Sequence, residues 1–181
     1  VIYIIMEYFE ANDLGLIYLI YKNNIKNAKT YLSVSGCYEY SFGQNNFGLF
    51  NQYYLNNTGE AEYFYKKASK NKFPLAEYNL GYLKETIGTI DDAIHYYINA
   101  SSHEDEPLIY REITRGNKWL EISKKFIICF TNLKLFIHFY SKKESEESKK
   151  YFIKAFNNLT LNTKDLIYQF NFKIRNQQEY S

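Results

Sequence analysis

Two short stretches of this chain carry side chains able to move protons or hold an ion. In the first, Ile90-Asp91-Asp92-Ala93-Ile94-His95, an imidazole follows two carboxylates by one helical turn. A carboxylate that orients a histidine makes a general base, so Asp92 and His95 would suit proton abstraction. The same residues also fit a helix start, where acids in the first turn offset the positive end of the helix dipole with no chemistry involved. The second stretch, His103-Glu104-Asp105-Glu106, offers one nitrogen donor and three carboxylates in a row. Metal sites need ligands converging from separate elements. No other part of the sequence is recognisable as a partner for the run, and a solvated loop between repeats accounts for it. The sequence holds no glycine-rich phosphate loop, Cys-x-x-Cys pair or nucleophile elbow. The expectation is therefore a non-enzymatic protein with no catalytic residue, no cofactor, no metal and no small-molecule substrate.

The elements that would position any such group recur along the chain. Leu14-Gly15, Phe47-Gly48 and Leu80-Gly81 are spaced by 33 and 33 residues, and Asn46 and Asn79 precede the last two pairs. Ala28, Ala61 and Ala93 follow the three glycines by 13, 13 and 12 residues. Seven residues further on, a small residue returns at Ser35, Ala68 and Ala100, with Tyr31-Leu32, Phe64-Tyr65 and Tyr96-Tyr97 in between. This is the pattern of two antiparallel helices per unit. A glycine inside a helix costs about 1 kcal/mol relative to alanine, so its recurrence predicts a close approach of the second helix. Small residues at i and i+7 share one face of that helix, with the aromatic at i+4 between them.

Helix-start signals keep the same phase. Asn57 precedes Glu60, and Thr89 precedes Asp92, by three residues, the spacing of a cap followed by a first-turn acid. Pro74 and Pro107 lie 33 apart, where one unit would pass into the next. Lys84, beyond Gly81, reads as solvent-facing. Three helix-pair repeats are thus expected at about 8–40, 41–73 and 74–103. Residues 104–131, with Trp119, Leu120 and Ile122, read as an insertion or degenerate helical segment. A fourth, degenerate repeat is expected at 132–160, with Leu133-Lys134 replacing Leu-Gly and Ser148, Phe152 and Ala155 replacing the small–aromatic–small set. Residues 161–181 read as a C-terminal capping helix whose stripe is Leu166, Ile167, Phe170 and Ile174.

Composition agrees with helices. Among 181 residues are 20 Tyr and 14 Phe but only 2 Pro and 8 Gly, which suits long regular elements and aromatic inter-helix layers. The formal charge is +2 with signs mixed along the chain, so no basic face predicts a nucleic-acid partner. Residues 126–140 are the most apolar run, but Asn132, Lys134 and His138 interrupt it, and a buried helix is expected rather than a membrane span. Cys37 and Cys129, 92 residues apart, predict no disulfide framework, a reducing compartment and hence a cytoplasmic protein.

Residues 12–36, "NDLGLIYLIYKNNIKNAKTYLSVSG", and 74–101, "PLAEYNLGYLKETIGTIDDAIHYYINAS", resemble Sel-one-like repeats, relatives of the tetratricopeptide repeat. The match is best at Leu80, Gly81, Asp92, Ala93, Tyr97 and Ala100. The resemblance implies an all-α solenoid of stacked antiparallel helix pairs acting as a scaffold or adaptor for other proteins. It implies packing roles for Leu14, Gly15, Ala28, Phe47, Gly48, Ala61, Ala68, Leu80, Gly81, Ala93, Tyr97 and Ala100. It also implies a concave, partner-binding face on the first helices at Asn12, Leu16, Leu19, Asn45, Leu49, Gln52, Tyr78, Tyr82 and Glu85. The glycine-containing turn usual after the first helix is mostly missing. Separately, residues 1–14, "VIYIIMEYFEANDL", resemble the hinge of a protein kinase, which implies a regulatory repeat segment of a larger kinase-containing signalling polypeptide. His-Arg-Asp and Asp-Phe-Gly segments occur nowhere in the chain, and the end of an N-terminal helix is the preferred reading of residues 1–14.

Overall fold

A computed structural model describes residues 8–103 and 118–158. Every regular element among them is an α-helix: α1 (Tyr8–Ile20), α2 (Ile25–Cys37), α3 (Ser41–Tyr54), α4 (Thr58–Ser69), α5 (Pro74–Thr86), α6 (Ile90–Ser102), α7 (Lys118–Ser141) and α8 (Ser145–Asn157). The chain divides into two compact units, Val1–Ala100 and Ser101–Ser181.

The first unit is an all-α solenoid. Helices α1 and α2, α3 and α4, and α5 and α6 form successive pairs. Each first helix packs on the second helix of the preceding pair, and α3 touches both α1 and α5, so the first helices make one layer. The recurring glycines explain the pairing. A Cβ at Gly15 would come 2.6 Å from Leu32 Cγ, one at Gly48 2.6 Å from Tyr65 Cε1, and one at Gly81 2.5 Å from Tyr97 Cε1. A large side chain of the second helix thus lies flat over the bare backbone of the first. The small residues on either side, Ala28 and Ser35, Ala61 and Ala68, Ala93 and Ala100, are all buried. Between pairs, aromatic and aliphatic residues fill the gaps: Ala28, Leu32, Phe47, Phe50 and Phe64 form one core cluster, and Ala61, Tyr65, Leu80 and Leu83 the next.

Most of these turns keep their geometry without a glycine. Asn23, Asn56, Gly88 and Lys143 each follow a first helix with positive φ, between 46° and 86°. Asparagine tolerates this left-handed conformation better than most residues, so it stands in for glycine twice. The 13, 13, 12 spacing is also absorbed here. Asn24 N–H bonds Tyr18 O and Asn57 N–H bonds Asn51 O, six residues back, whereas Thr89 N–H bonds Lys84 O, five back. The third turn is one residue tighter, and the helices on either side stay in register. Asn24 and Asn57 cap α2 and α4 by accepting from Asn27 N–H and Glu60 N–H. Thr89 Oγ1 donates to Lys84 O, and Pro74 occupies the start of α5, where its missing N–H is not needed.

Lys84 corrects the sequence reading. Its side chain is only 14% exposed, and its Nζ lies 2.9 Å from Glu62 Oε1. Glu62 also pairs with Lys66 at 2.6 Å, so one carboxylate ties α4 to α5. The hydrogen bonds from Lys66 and Lys84 hold the Glu62 carboxyl below its usual range.

In the second unit α7 and α8 form another pair. Helix α7 begins at Lys118 and runs unbroken to Ser141, so no element boundary separates residues 131 and 132. Ser148 and Ala155 are buried, but the aromatic expected between them is not Phe152. Phe152 is 50% exposed, while Tyr151 is buried and stacks on Phe139 at 5.4 Å. Phe136 explains the change: the Phe152 ring meets its ring at 5.4 Å, where Leu32, Tyr65 and Tyr97 each meet a glycine, so the i+4 ring has no bare backbone to lie on. The aromatic contact moves one residue earlier and Phe152 turns out against Phe136. Residues 104–117, and the capping helix expected over 161–181, lie outside the described residues, as do residues 1–7 of the hinge-like stretch; Tyr8–Leu14 are helical within α1.

Replacing Gly81 by leucine is expected to destabilise the protein by roughly 1–3 kcal/mol in urea denaturation, through overpacking against Tyr97. Gly59 is the matched control. It is exposed in the first turn of α4 with its nearest neighbour, Asn57 Oδ1, 3.8 Å from a built Cβ, so Gly59→Ala should be neutral or stabilising by up to about 1 kcal/mol. Equal effects at the two sites would refute the close-contact account.

Candidate functional site

The nine residues expected on the first-helix face divide into three groups. Asn12 and Asn45 are 5% and 0% exposed. Their amides face the next repeat rather than solvent: Asn46 Nδ2 donates to Asn12 Oδ1 at 2.8 Å, and Asn79 Nδ2 donates to Asn45 Oδ1 at 2.8 Å. These asparagines form a ladder between neighbouring first helices, and their burial corrects the assignment of Asn12 and Asn45 to a peptide-contacting surface. A polar amide this deep needs a polar partner, and the repeat supplies it 34 residues on.

Leu16, Leu19 and Leu49 are half-buried and pack against the inter-repeat clusters. Gln52 and Glu85, each four residues after a repeat glycine, tether the second helix. Tyr65 donates its hydroxyl to Gln52 Oε1 and Tyr97 donates to Glu85 Oε2, both at 2.7 Å. In the first repeat Leu32 replaces the tyrosine and Leu19 the acceptor, so the polar pair becomes an apolar pair. Burial, and then for Tyr97 the hydrogen bond to Glu85, raise both phenols far above their ordinary range.

Tyr78 and Tyr82 complete the face. Both are half-buried, and the Tyr78 ring packs on Tyr97 at 5.7 Å. The structure adds Tyr53, which the sequence reading omitted. It is 54% exposed on α3 and lies against the α5 tyrosines: burial, then the proximity of Tyr82 and Tyr78, then a hydrogen bond with Tyr82 raise its pKa. Its place one turn beyond Leu49 is the signal that would have included it. Tyr53, Tyr78 and Tyr82 thus converge from α3 and α5, with Tyr78 packed on Tyr97. Phenol rings with hydroxyl tips combine wide apolar contact with hydrogen bonding.

The candidates for chemistry do not converge. His95 is exposed on α6, with Asn99 Nδ2 3.3 Å from its Nε2 and its ring against Tyr96. Asp91 and Asp92 are exposed in the first turn of α6. His103 is buried, while Glu104, Asp105 and Glu106 lie outside the described residues. Among the described residues no group of three His, Cys, Asp or Glu side chains is placed to hold a metal ion, and no helix is long and apolar enough to cross a membrane. Cys37 is exposed and Cys129 buried, both as free thiols; burial pushes Cys129 up to about 11. The second unit has an open cavity of about 790 Å³ between α7 and α8, lined by Phe136, Tyr140, Ser148 and Phe152 among others.

No protein-family model and no curated protein matches this chain. Among solved structures, the crystal structure of MamA is similar with a TM-score of 0.52. The match covers 84% of this chain and 78% of that one at 18% identity. The likeness is one of fold, an all-α solenoid of stacked helix pairs.

Two measurements check the site's internal wiring. Asn79→Ala leaves the buried Asn45 carbonyl without its donor and should cost roughly 1–3 kcal/mol; a double-mutant cycle with Asn45→Ala should show positive coupling between the two. The raised phenols predict alkaline sensitivity. Burial, helped by Asp13 and Tyr8, pushes Tyr40 up to about 12. A folded-state pKa above the unfolded value of about 10 favours the neutral phenol in the fold. This contribution is full below pH 10 and lost as pH rises through 12. Stability in urea should therefore fall above pH 10, and Tyr40→Phe should flatten part of that fall.

Proposed function

We propose that this chain is a non-enzymatic protein-interaction module, a scaffold or adaptor that holds an extended segment of a partner across its first-helix layer. One observation carries the reading: Tyr53, Tyr78 and Tyr82 converge from two neighbouring first helices onto one face, beside Gln52 and Glu85. Tyrosines give broad contact at small rotamer cost, the chemistry of binding hot spots. A ridged helical face suits a peptide read by pockets for alternate side chains. The MamA-like fold supports a scaffold role in general. We assign the repeats to the Sel-one-like branch on Leu80, Gly81, Asp92, Ala93, Tyr97 and Ala100, and the protein to the cytoplasm on its free thiols. The kinase-linked signalling alternative expects a helix after the hinge-like stretch, as α1 provides, and rests on residues 1–7, outside the described residues.

Tyr78→Ala combined with Tyr82→Ala should abolish partner capture from a native lysate while leaving the helical circular dichroism signal in place. His95→Ala should leave capture unchanged, because His95 sits on α6, a second helix. Capture that survives the tyrosine changes, together with a turnover lost on His95→Ala, would reject the scaffold reading.

A further inference from the structure

The charge of the first-helix layer narrows the partner. Helices α1, α3 and α5 carry four acids, Glu10, Asp13, Glu85 and the buried Glu77, against one base, Lys84. That base is held by Glu62 of α4 at 2.9 Å, and α3 has no charged residue at all. The layer is thus acidic in a chain whose formal charge is +2. Its exposed chemistry is equally one-sided. Aromatic rings present negative faces that attract cations, and the half-buried carboxylate of Glu85 accepts from Tyr97, on which the Tyr78 ring packs. Ring faces and carboxylate both repel an anion and both favour a cation. Arginine fits best, because its planar guanidinium stacks on a phenol ring and presents a donor fork to a carboxylate.

We propose that the tyrosine face of α3 and α5 binds an extended protein segment bearing arginine or lysine, with a cationic side chain laid over Tyr53, Tyr78 or Tyr82 and directed toward Glu85. This rests on the binding function proposed above and adds the chemical class of the partner. The repeats themselves supply a mild test variant. Glu85→Gln copies the Gln52–Tyr65 bond of the preceding repeat, so it removes charge and keeps an acceptor for Tyr97. Gln52→Glu makes the reverse exchange and adds charge at the equivalent place.

The full chain is immobilised, and a phage-displayed library of random peptides about twelve residues long is selected against it, a length that spans several helix rows when extended. Synthetic copies of the winners are then measured by fluorescence anisotropy, with circular dichroism confirming that each variant is folded. Winners are expected to be basic, to bind roughly three- to tenfold more weakly to Glu85→Gln, more tightly to Gln52→Glu, and more weakly as salt is raised. Neutral or acidic winners that lose binding to the Tyr78→Ala, Tyr82→Ala variant would overturn the cationic class and leave the binding function standing. Basic winners indifferent to both charge variants would overturn the assignment to this face. An empty selection, or winners indifferent to the tyrosine variant, would overturn the proposal and the binding function together.

Discussion

The contact between a helical glycine and the side chain lying across it sets everything else in the first unit. With no Cβ at Gly15, Gly48 or Gly81, the second helix comes close enough for Leu32, Tyr65 or Tyr97 to lie on bare backbone. That proximity buries the alanines on either side. It also fixes how far each tyrosine reaches: its hydroxyl arrives four residues beyond the glycine, where Gln52 and Glu85 accept it. Where the glycine is lost, the arrangement changes at once. In α7 the Phe152 ring meets Phe136 instead of bare backbone, and the packed ring becomes Tyr151 while Phe152 faces outward.

A second constraint runs at right angles to the first. The glycine contacts join the two helices of one repeat, whereas the asparagine ladder joins the first helices of different repeats. Its rungs are buried amide pairs, which tolerate neither a slip nor a rotation of one helix against the next, because either would strand a polar group away from water. Apolar packing alone would permit such adjustments at small cost. The ladder therefore gives the stack a register, and the tyrosine face depends on that register because its members come from both α3 and α5.

The repeat architecture was legible because its signals are steric. A glycine and two small residues recurring around a large one have few physical readings other than close helix pairing. The asparagines were harder. Asn12 and Asn45 have the composition of a binding surface, and only the positions of their partners, Asn46 and Asn79, show that their amide oxygens are satisfied inside the stack. Spacing of 34 rather than 33 is a weak signal in an asparagine-rich chain. Lys84 misled for the opposite reason: a lysine on a helix reads as exposed, and its ion pair with Glu62 depends on a neighbouring repeat. Phe152 was misassigned because the i+4 rule was carried past the residue that makes it work. Tyr53 was missed because it falls one residue beyond the stripe that its neighbour Gln52 closes.

The ladder has a direction, and this limits how such a protein can grow by gene duplication. Each rung needs an acceptor amide two residues before the Leu-Gly or Phe-Gly pair in one repeat and a donor amide one residue before it in the next. The middle repeat has both, in Asn45 and Asn46. The first has the acceptor Asn12, but its neighbouring residue is Asp13, whose carboxylate instead accepts from Asn12 Nδ2. The third has the donor Asn79 but carries Tyr78 where the acceptor amide would be. A tandem copy of residues 41–73 would extend the array with every rung made, whereas an internal copy of either outer repeat would interrupt the ladder. The middle repeat is the one unit of the three that can be copied without penalty.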